Sequence, residues 1–178
     1  MAEAWTRHLA ARRDLPLEVA SAGTLDLGPV GSPAHALDVM EGAGIDLSGH
    51  RARALAEVQM SKADLVIGFE SVHVAAAVVD GGVPYERAFT LIELVRLLEM
   101  AEPGEGGSDD RQTLVEDARR AVARAHSARD RPDLSTAEDM PDPFGGPVGI
   151  YQATSDRIAG LIGRLLGGLF VEVPGNQT

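Results

Sequence analysis

Apolar residues recur along this chain in two rhythms, a spacing near 3.6 residues and short unbroken runs, and their alternation outlines the fold. Ala4, Trp5 and Leu9 keep helical spacing from the start, with Arg7, His8, Arg12 and Arg13 on the polar side, so an amphipathic helix opens the chain. No Ser, Thr, Asp or Asn stands ahead of it to cap the first turn. LEVASAGT (residues 17–24) reads as a short buried strand closing on a glycine turn. AHALDVMEGAG reads as a helix that stops at Gly42 or Gly44, where a left-handed cap is expected. IDLSGHRARAL is a loop feeding a further helix through LAEVQMSKA. ADLVIGF (residues 63–69) is the clearest strand, an apolar run too short for a helix and flanked by polar residues.

The second half continues the alternation. SVHVAAAVVD predicts a helix, ERAFTL a strand and LIELVRLLEMA a helix. EPGEGGSDD is a low-complexity surface linker. Residues 110–129 form an amphipathic helix whose acidic start and basic finish suit the helix dipole. RPDLSTAEDMPDPFGGPVG is longer than most loops inside a domain, and such loops are often functional. A final helix from IYQATSDRI onward puts Tyr151, Ile158, Leu161, Ile162, Leu165 and Leu169 on one stripe. There is no internal repeat, and residues 1–178 read as one domain. Strands alternating with helices predict an α/β fold, a three-layer, doubly wound parallel sheet with right-handed crossovers. Ligands in such folds bind beyond the carboxyl ends of the strands, which directs attention to SAGTLDLG, GFESVH and the loop carrying PDPFGGP.

Composition narrows the function. The 178 residues are 44% hydrophobic, enough for a real core, and no apolar run reaches membrane-spanning length. The start lacks the basic-then-apolar order of a signal peptide, which sets a cytoplasmic expectation. A formal charge of -11 argues against nucleic acid or an anionic membrane as partner. The chain contains no cysteine, which excludes disulfides, thiolate metal sites and a cysteine nucleophile within it. It also lacks a dinucleotide-binding glycine fingerprint, a Gly-Lys-Ser/Thr phosphate loop and a Gly-x-Ser-x-Gly elbow.

Taken singly, the candidate residues fit ordinary structural roles as well as chemical ones. Ser21 lies in a plain strand-to-loop turn, His50 in a polar loop beside Arg51 and Arg53, and Asp142 in a turn-forming Asp-Pro pair. Glu70, just after a strand, reads equally well as a cap on the next helix.

Their order along the chain carries more. MAEAWTRHLA, VASAGT, GSPAHALDVMEGAGIDLSGHRARAL, ADLVIGFE and PDPFGGP followed by a terminal helix resemble, in sequence, the low-molecular-weight protein tyrosine phosphatases. The likeness runs to about Leu169 and is loosest over residues 102–137, which exceed the family core. It implies the family's flavodoxin-like sheet of four strands. In that family a central strand and a phosphate-binding loop of pattern C-x5-R-S/T-P stand before the helix spelled MAEA, and this chain contains neither.

The resemblance implies a mechanism. A loop thiolate attacks phosphorus, an arginine clamps the phosphoryl oxygens, and an aspartic acid protonates the leaving group and then activates water. By resemblance Asp142 is that general acid and base. Ser21 and His50 match positions that support the phosphate loop, and Leu27 and Phe144 match positions that wall the substrate cleft. Leu27 is aliphatic where aromatic residues are common, Gly145 follows Phe144 where some members carry a tyrosine, and Glu70 replaces an aspartate. The implied substrates are phosphotyrosine in a phosphorylated protein or a small phosphomonoester, and no cofactor is implied.

Without nucleophile or clamp, the chain as written is expected to be catalytically inactive and its start to lie downstream of the natural one. Loss of the central strand is expected to unpair the facing edges of the SAGT and ADLVIGF strands, at ~1–3 kcal/mol for each buried unpaired group. Two other readings stand beside this one. A non-catalytic relative would bind a partner through the cleft or through residues 110–129. An arsenate reductase of the same fold would need relay cysteines that are absent here.

Overall fold

The computed structural model describes residues 1–101, 110–129 and 139–171. The linker at 102–109, the first part of the long loop at 130–138, and hence most of the family-variable stretch 102–137 outside the helix at 110–129, lie outside the described residues. Among the described residues, six α-helices and two short strands follow one another as α1 (Ala2–Ala11), α2 (Ala34–Gly42), β1 (Val66–Gly68), α3 (Ser71–Val79), β2 (Ala88–Thr90), α4 (Leu91–Met100), α5 (Arg111–Ser127) and α6 (Val148–Leu169).

β1 and β2 pair in parallel, with Val66 opposite Ala88, Ile67 opposite Phe89 and Gly68 opposite Thr90. Side chains leave a strand on alternate faces, and the packing follows that rule. Val66 and Ala88 join Ala77, Val74 and Val78 of α3 in one small cluster. Leu65, Ile67, Phe69 and Phe89 face the other way, into a larger core with α1, α4, α5 and α6. The three-layer order therefore holds, helices on both faces of a small parallel sheet. Phe89, Leu94, Leu166 and Val95 are almost fully buried there, each contributing about 1.5–3 kcal/mol by removal from water.

Local chemistry fixes the joints. Thr90 ends β2 and begins α4 at once: its Oγ1 accepts from the Glu93 amide at 3.2 Å, and Glu93 Oε2 accepts from the Thr90 amide at 3.2 Å. α5 starts on Asp110, whose Oδ2 accepts from the Thr113 amide at 2.9 Å. α2 closes where expected, with Gly44 at a φ of 75°, a left-handed position that favours glycine. Met1 precedes α1 with no side-chain cap.

Two expected elements form differently. Residues 17–22 form no strand, and most are exposed rather than buried; among the described residues of this segment only Gly23 bridges, in parallel to Ala54. A strand exists through its neighbour, and among the described residues none lies alongside this segment. Its contacts are instead to α1, where Arg7 donates to the Val19 carbonyl. LAEVQMSKA does not make a helix but two 3-10 turns, Leu55–Glu57 and Met60–Lys62. The Leu55 amide donates to the Gly23 carbonyl at 2.9 Å, and Val58 between the turns is extended, so the bridge and a β-branched residue divide the segment.

Candidate active site at the amino end of the first helix

The helix α1 carries one carboxylate in its first turn, Glu3. Two residues from distant loops converge on it. The Ser21 hydroxyl donates to Glu3 Oε2, and His50 Nδ1 lies 3.9 Å from the same oxygen. Arg7, one turn along, donates to Glu3 Oε1 at 3.0 Å. Ser21 and His50, singled out in the sequence, are thus brought together, and the residue that joins them was not. The available signal was the Glu of MAEA, an acid in a first turn where the helix dipole favours it.

Electrostatics set the protonation of this cluster. Burial pushes the Glu3 carboxyl up, but the bonds from Ser21 and Arg7 and the charges of Arg7 and His50 outweigh it, leaving the group below its ordinary value. Burial pushes His50 down, Glu3 pulls it up, and the Met1 ammonium, Arg53 and Arg51 push it down again, with a net lowering. Near neutral pH the pair is therefore a carboxylate beside a largely neutral imidazole.

Leu27 belongs to the same group of loops. Its loop turns on Asp26, whose Oδ1 accepts from the Gly28 amide at 3.1 Å, with Gly28 at a φ of 67°. The loop is held to the segment after His50 by the Ala52 amide, 2.8 Å from the Val30 carbonyl. Leu27 itself is 61% exposed.

Asp142 and Phe144 lie on the loop that enters α6. Asp142 is exposed, and its Oδ1 accepts from the Phe144 amide at 3.0 Å; among the described residues Oδ2 makes no bond, which leaves it for an outside partner. Phe144 is 75% exposed, and Gly145 after it has a φ of 78°, a conformation that a tyrosine there would adopt only under strain. Among the described residues, the Asp142 hydrogen bond stays within this loop.

Helix packing places the two groups at one end of the molecule. Trp5 Nε1 donates to Ser155 Oγ at 2.9 Å, and Met1, Ala4 and Trp5 pack against the cluster containing Tyr151, one turn into α6. The first turns of α1 and α6 are therefore side by side. The stem of the Asp142 loop meets the carboxyl end of β1, where the Met140 amide donates to the Phe69 carbonyl at 2.8 Å. Glu70 occupies the cap position of α3 as expected, but the carboxylate that bonds the helix's first amide belongs to Asp139, its Oδ1 2.8 Å from the Ser71 nitrogen.

A groove of about 380 Å³ between α4 and α6, rimmed by Arg96, Glu99 and Arg164, lies apart from these residues. Among the described residues no group of His, Cys, Asp and Glu is placed to hold a metal ion, and no helix is long and apolar enough to cross a membrane.

Comparison with known proteins follows the same lines. The family model described as low molecular weight phosphotyrosine protein phosphatase matches residues 1–128. No curated protein matches the chain in sequence. Among solved structures, the YwlE arginine phosphatase with a phosphorylated active-site serine is 26% identical, with a TM-score of 0.67 and coverage of 94% of this chain and 85% of that one. A low molecular weight protein tyrosine phosphatase from Bacillus subtilis is 25% identical, with a TM-score of 0.66 over 94% of this chain and 86% of that one. The corresponding phosphatase from T. tengcongensis, at 23% identity, TM-score 0.66 and 93% and 86% coverage, supports the fold alone.

Proposed function

The chain belongs to the low molecular weight phosphotyrosine protein phosphatase family, and from that premise we propose that it furnishes the acid and the loop supports of a phosphomonoester hydrolase. Asp142 is the general acid, with Oδ2 delivering the proton to the leaving oxygen and then taking one from the water that cleaves the phosphoenzyme. Ser21 and His50 brace the phosphate-binding loop, and Leu27 and Phe144 wall the cleft. The single observation that carries this reading is the convergence of Ser21 and His50 on Glu3, at the end of the molecule that also bears the Asp142 loop.

The 178 residues hold no cysteine. Phosphocysteine chemistry therefore needs a thiolate and an arginine clamp from outside them, and these residues alone do not turn over. Acid and supports without nucleophile or oxyanion cradle leave the transition state with no covalent path. The test is hydrolysis of p-nitrophenyl phosphate by the chain alone and by the chain carrying an amino-terminal strand and C-x5-R-S/T-P loop. Turnover by the extended protein only supports the reading. A folded but inert extended protein supports a non-catalytic binding role instead.

A second substrate class has its own support. The aliphatic, exposed Leu27 stacks poorly on a phenyl ring, and one similar structure is an arginine phosphatase by its own description. Phosphoarginine is therefore the competing substrate, distinguished by comparing phosphotyrosine and phosphoarginine peptides on the extended protein.

A further inference from the structure

The segment that leads into the Asp142 loop is pinned at two consecutive residues. Asp139 Oδ1 accepts from the Ser71 amide at 2.8 Å, and its Oδ2 lies 3.4 Å from the Ser71 hydroxyl. Met140 donates its amide to the Phe69 carbonyl at 2.8 Å and buries its side chain in the main core, 3% exposed. Both partners, Phe69 and Ser71, belong to the junction between β1 and α3. Ser71 is the first residue of α3, and its amide donates to Asp139 rather than to the Glu70 side chain ahead of it. The orphan amide is thus satisfied from across the fold, by a negative charge that the helix dipole favours.

We infer that Asp139 is a positioning residue for the general acid, holding the Asp142 loop at the carboxyl end of β1 through the first turn of α3. The inference rests on the reading of Asp142 as acid. Asp142 lies three positions beyond Asp139 and two beyond Met140. Pro141 and Pro143 flank Asp142 and restrict the backbone on either side of it. A stiff segment fixed at its stem transmits the position of the stem to the carboxylate. At the far end the loop runs through Pro147 into α6, so Asp142 is suspended between two anchored points. Burial of Met140 alone fixes depth, whereas the Asp139 bond adds a second point and so fixes the direction in which the loop leaves the sheet.

The contact can be cut from either side in the chain as it stands. Asp139→Ala removes the acceptor. Ser71→Pro removes the donor at a first helical position, where proline is tolerated, and Glu70 before it is already extended at φ -131° and ψ 156°, as a residue preceding proline requires. The readout is the NMR shift of the Phe144 amide, which reports its bond to Asp142 Oδ1. Asp142→Ala, which removes the acceptor, gives the shift of the unbonded amide.

Both variants are expected to move the Phe144 shift toward that of Asp142→Ala, by about a fivefold change in the docked-to-undocked ratio of the loop, the size of a typical cap. Asp139→Asn, which keeps an acceptor oxygen, stays near the wild-type shift. A role confined to capping α3 would alter amide exchange in that helix and leave Phe144 unchanged. If Asp139→Ala does not fold, Ser71→Pro decides alone. A wild-type Phe144 shift in either folded variant overturns the inference. Failure of Asp142 as acid appears separately, as hydrolysis indifferent to Asp142 in the extended protein, and leaves the NMR result standing.

Discussion

His50 Nδ1 lies 3.9 Å from Glu3 Oε2, and that oxygen also accepts the hydroxyl proton of Ser21. One carboxylate in the first turn of α1 thus ties together two loops that are remote in sequence. Among the described residues, Glu3 pulls the His50 pKa up, against burial, the Met1 ammonium and two arginines. Glu3→Gln is expected to lower the His50 pKa further, read from its ring proton shifts in an NMR titration. An unchanged or raised value would mean that the two groups do not interact in solution.

The same shifts make the chain acid-sensitive. His50 in the fold lies below its ordinary 6.5, so below that pH the unfolded chain binds the extra proton. Its contribution to stability is present above pH 6.5 and is lost as pH falls through the folded value. Glu3 lies below 4.5, so its contribution is present above 4.5 and is lost on further acidification. The urea midpoint is expected to fall in two stages from pH 7 to pH 3. His50→Gln should shrink the first stage, to which the buried Met1 ammonium also contributes, and Glu3→Gln should shrink the second, to which Asp46, Glu99 and Asp110 also contribute. A midpoint independent of pH between 7 and 5 in the wild type would contradict the assignment of His50.

Arg129 holds α5 to the sheet. Its side chain is 8% exposed, it bonds Glu93 at 2.8 and 3.1 Å and the Tyr85 carbonyl at 2.9 Å, and its guanidinium stacks 3.8 Å from the centre of the Phe89 ring. Removing one partner of a buried pair leaves an uncompensated charge and costs about 3 kcal/mol. Arg129→Ala should lower unfolding stability by about that amount, measured with urea and the fluorescence of Trp5, the sole tryptophan. A loss below about 1 kcal/mol would show the pair to behave as a surface one.

Two neighbouring glycines in α6 should respond oppositely. A Cβ on Gly168 would meet Leu98 Cβ at 2.9 Å, while one on Gly167 meets nothing within 4 Å. Gly168→Ala is expected to cost about 1–3 kcal/mol by overpacking, and Gly167→Ala to add about 0.5–1 kcal/mol through helix propensity. Equal effects in urea titrations would mean that α4 and α6 are not so closely apposed.

What the sequence could reveal followed the range of the interactions involved. The helices were legible because their stripes are local: Ile158, Leu161, Ile162 and Leu165 are buried as their spacing requires. LEVASAGT was not, because strand character depends on a neighbour, and this segment leans on α1 rather than a ladder. LAEVQMSKA kept helical spacing but lost its helix to the Gly23 bridge, a contact from another part of the chain. Ser21, His50 and Asp142 could be named from motif order, yet Glu3 and Asp139 could not, since the partners that give them meaning lie far away in sequence. The Ser71 amide is 68 positions from Asp139.

The most direct measurement is the effect of Asp142→Ala on p-nitrophenyl phosphate and phenyl phosphate hydrolysis by the chain extended with a C-x5-R-S/T-P loop. Asp142→Ala is expected to lower kcat ~10²–10⁴-fold for phenyl phosphate, whose poor leaving group needs the proton, and less for p-nitrophenyl phosphate. Equal rates with and without Asp142, in a folded and active protein, would contradict its role as the acid.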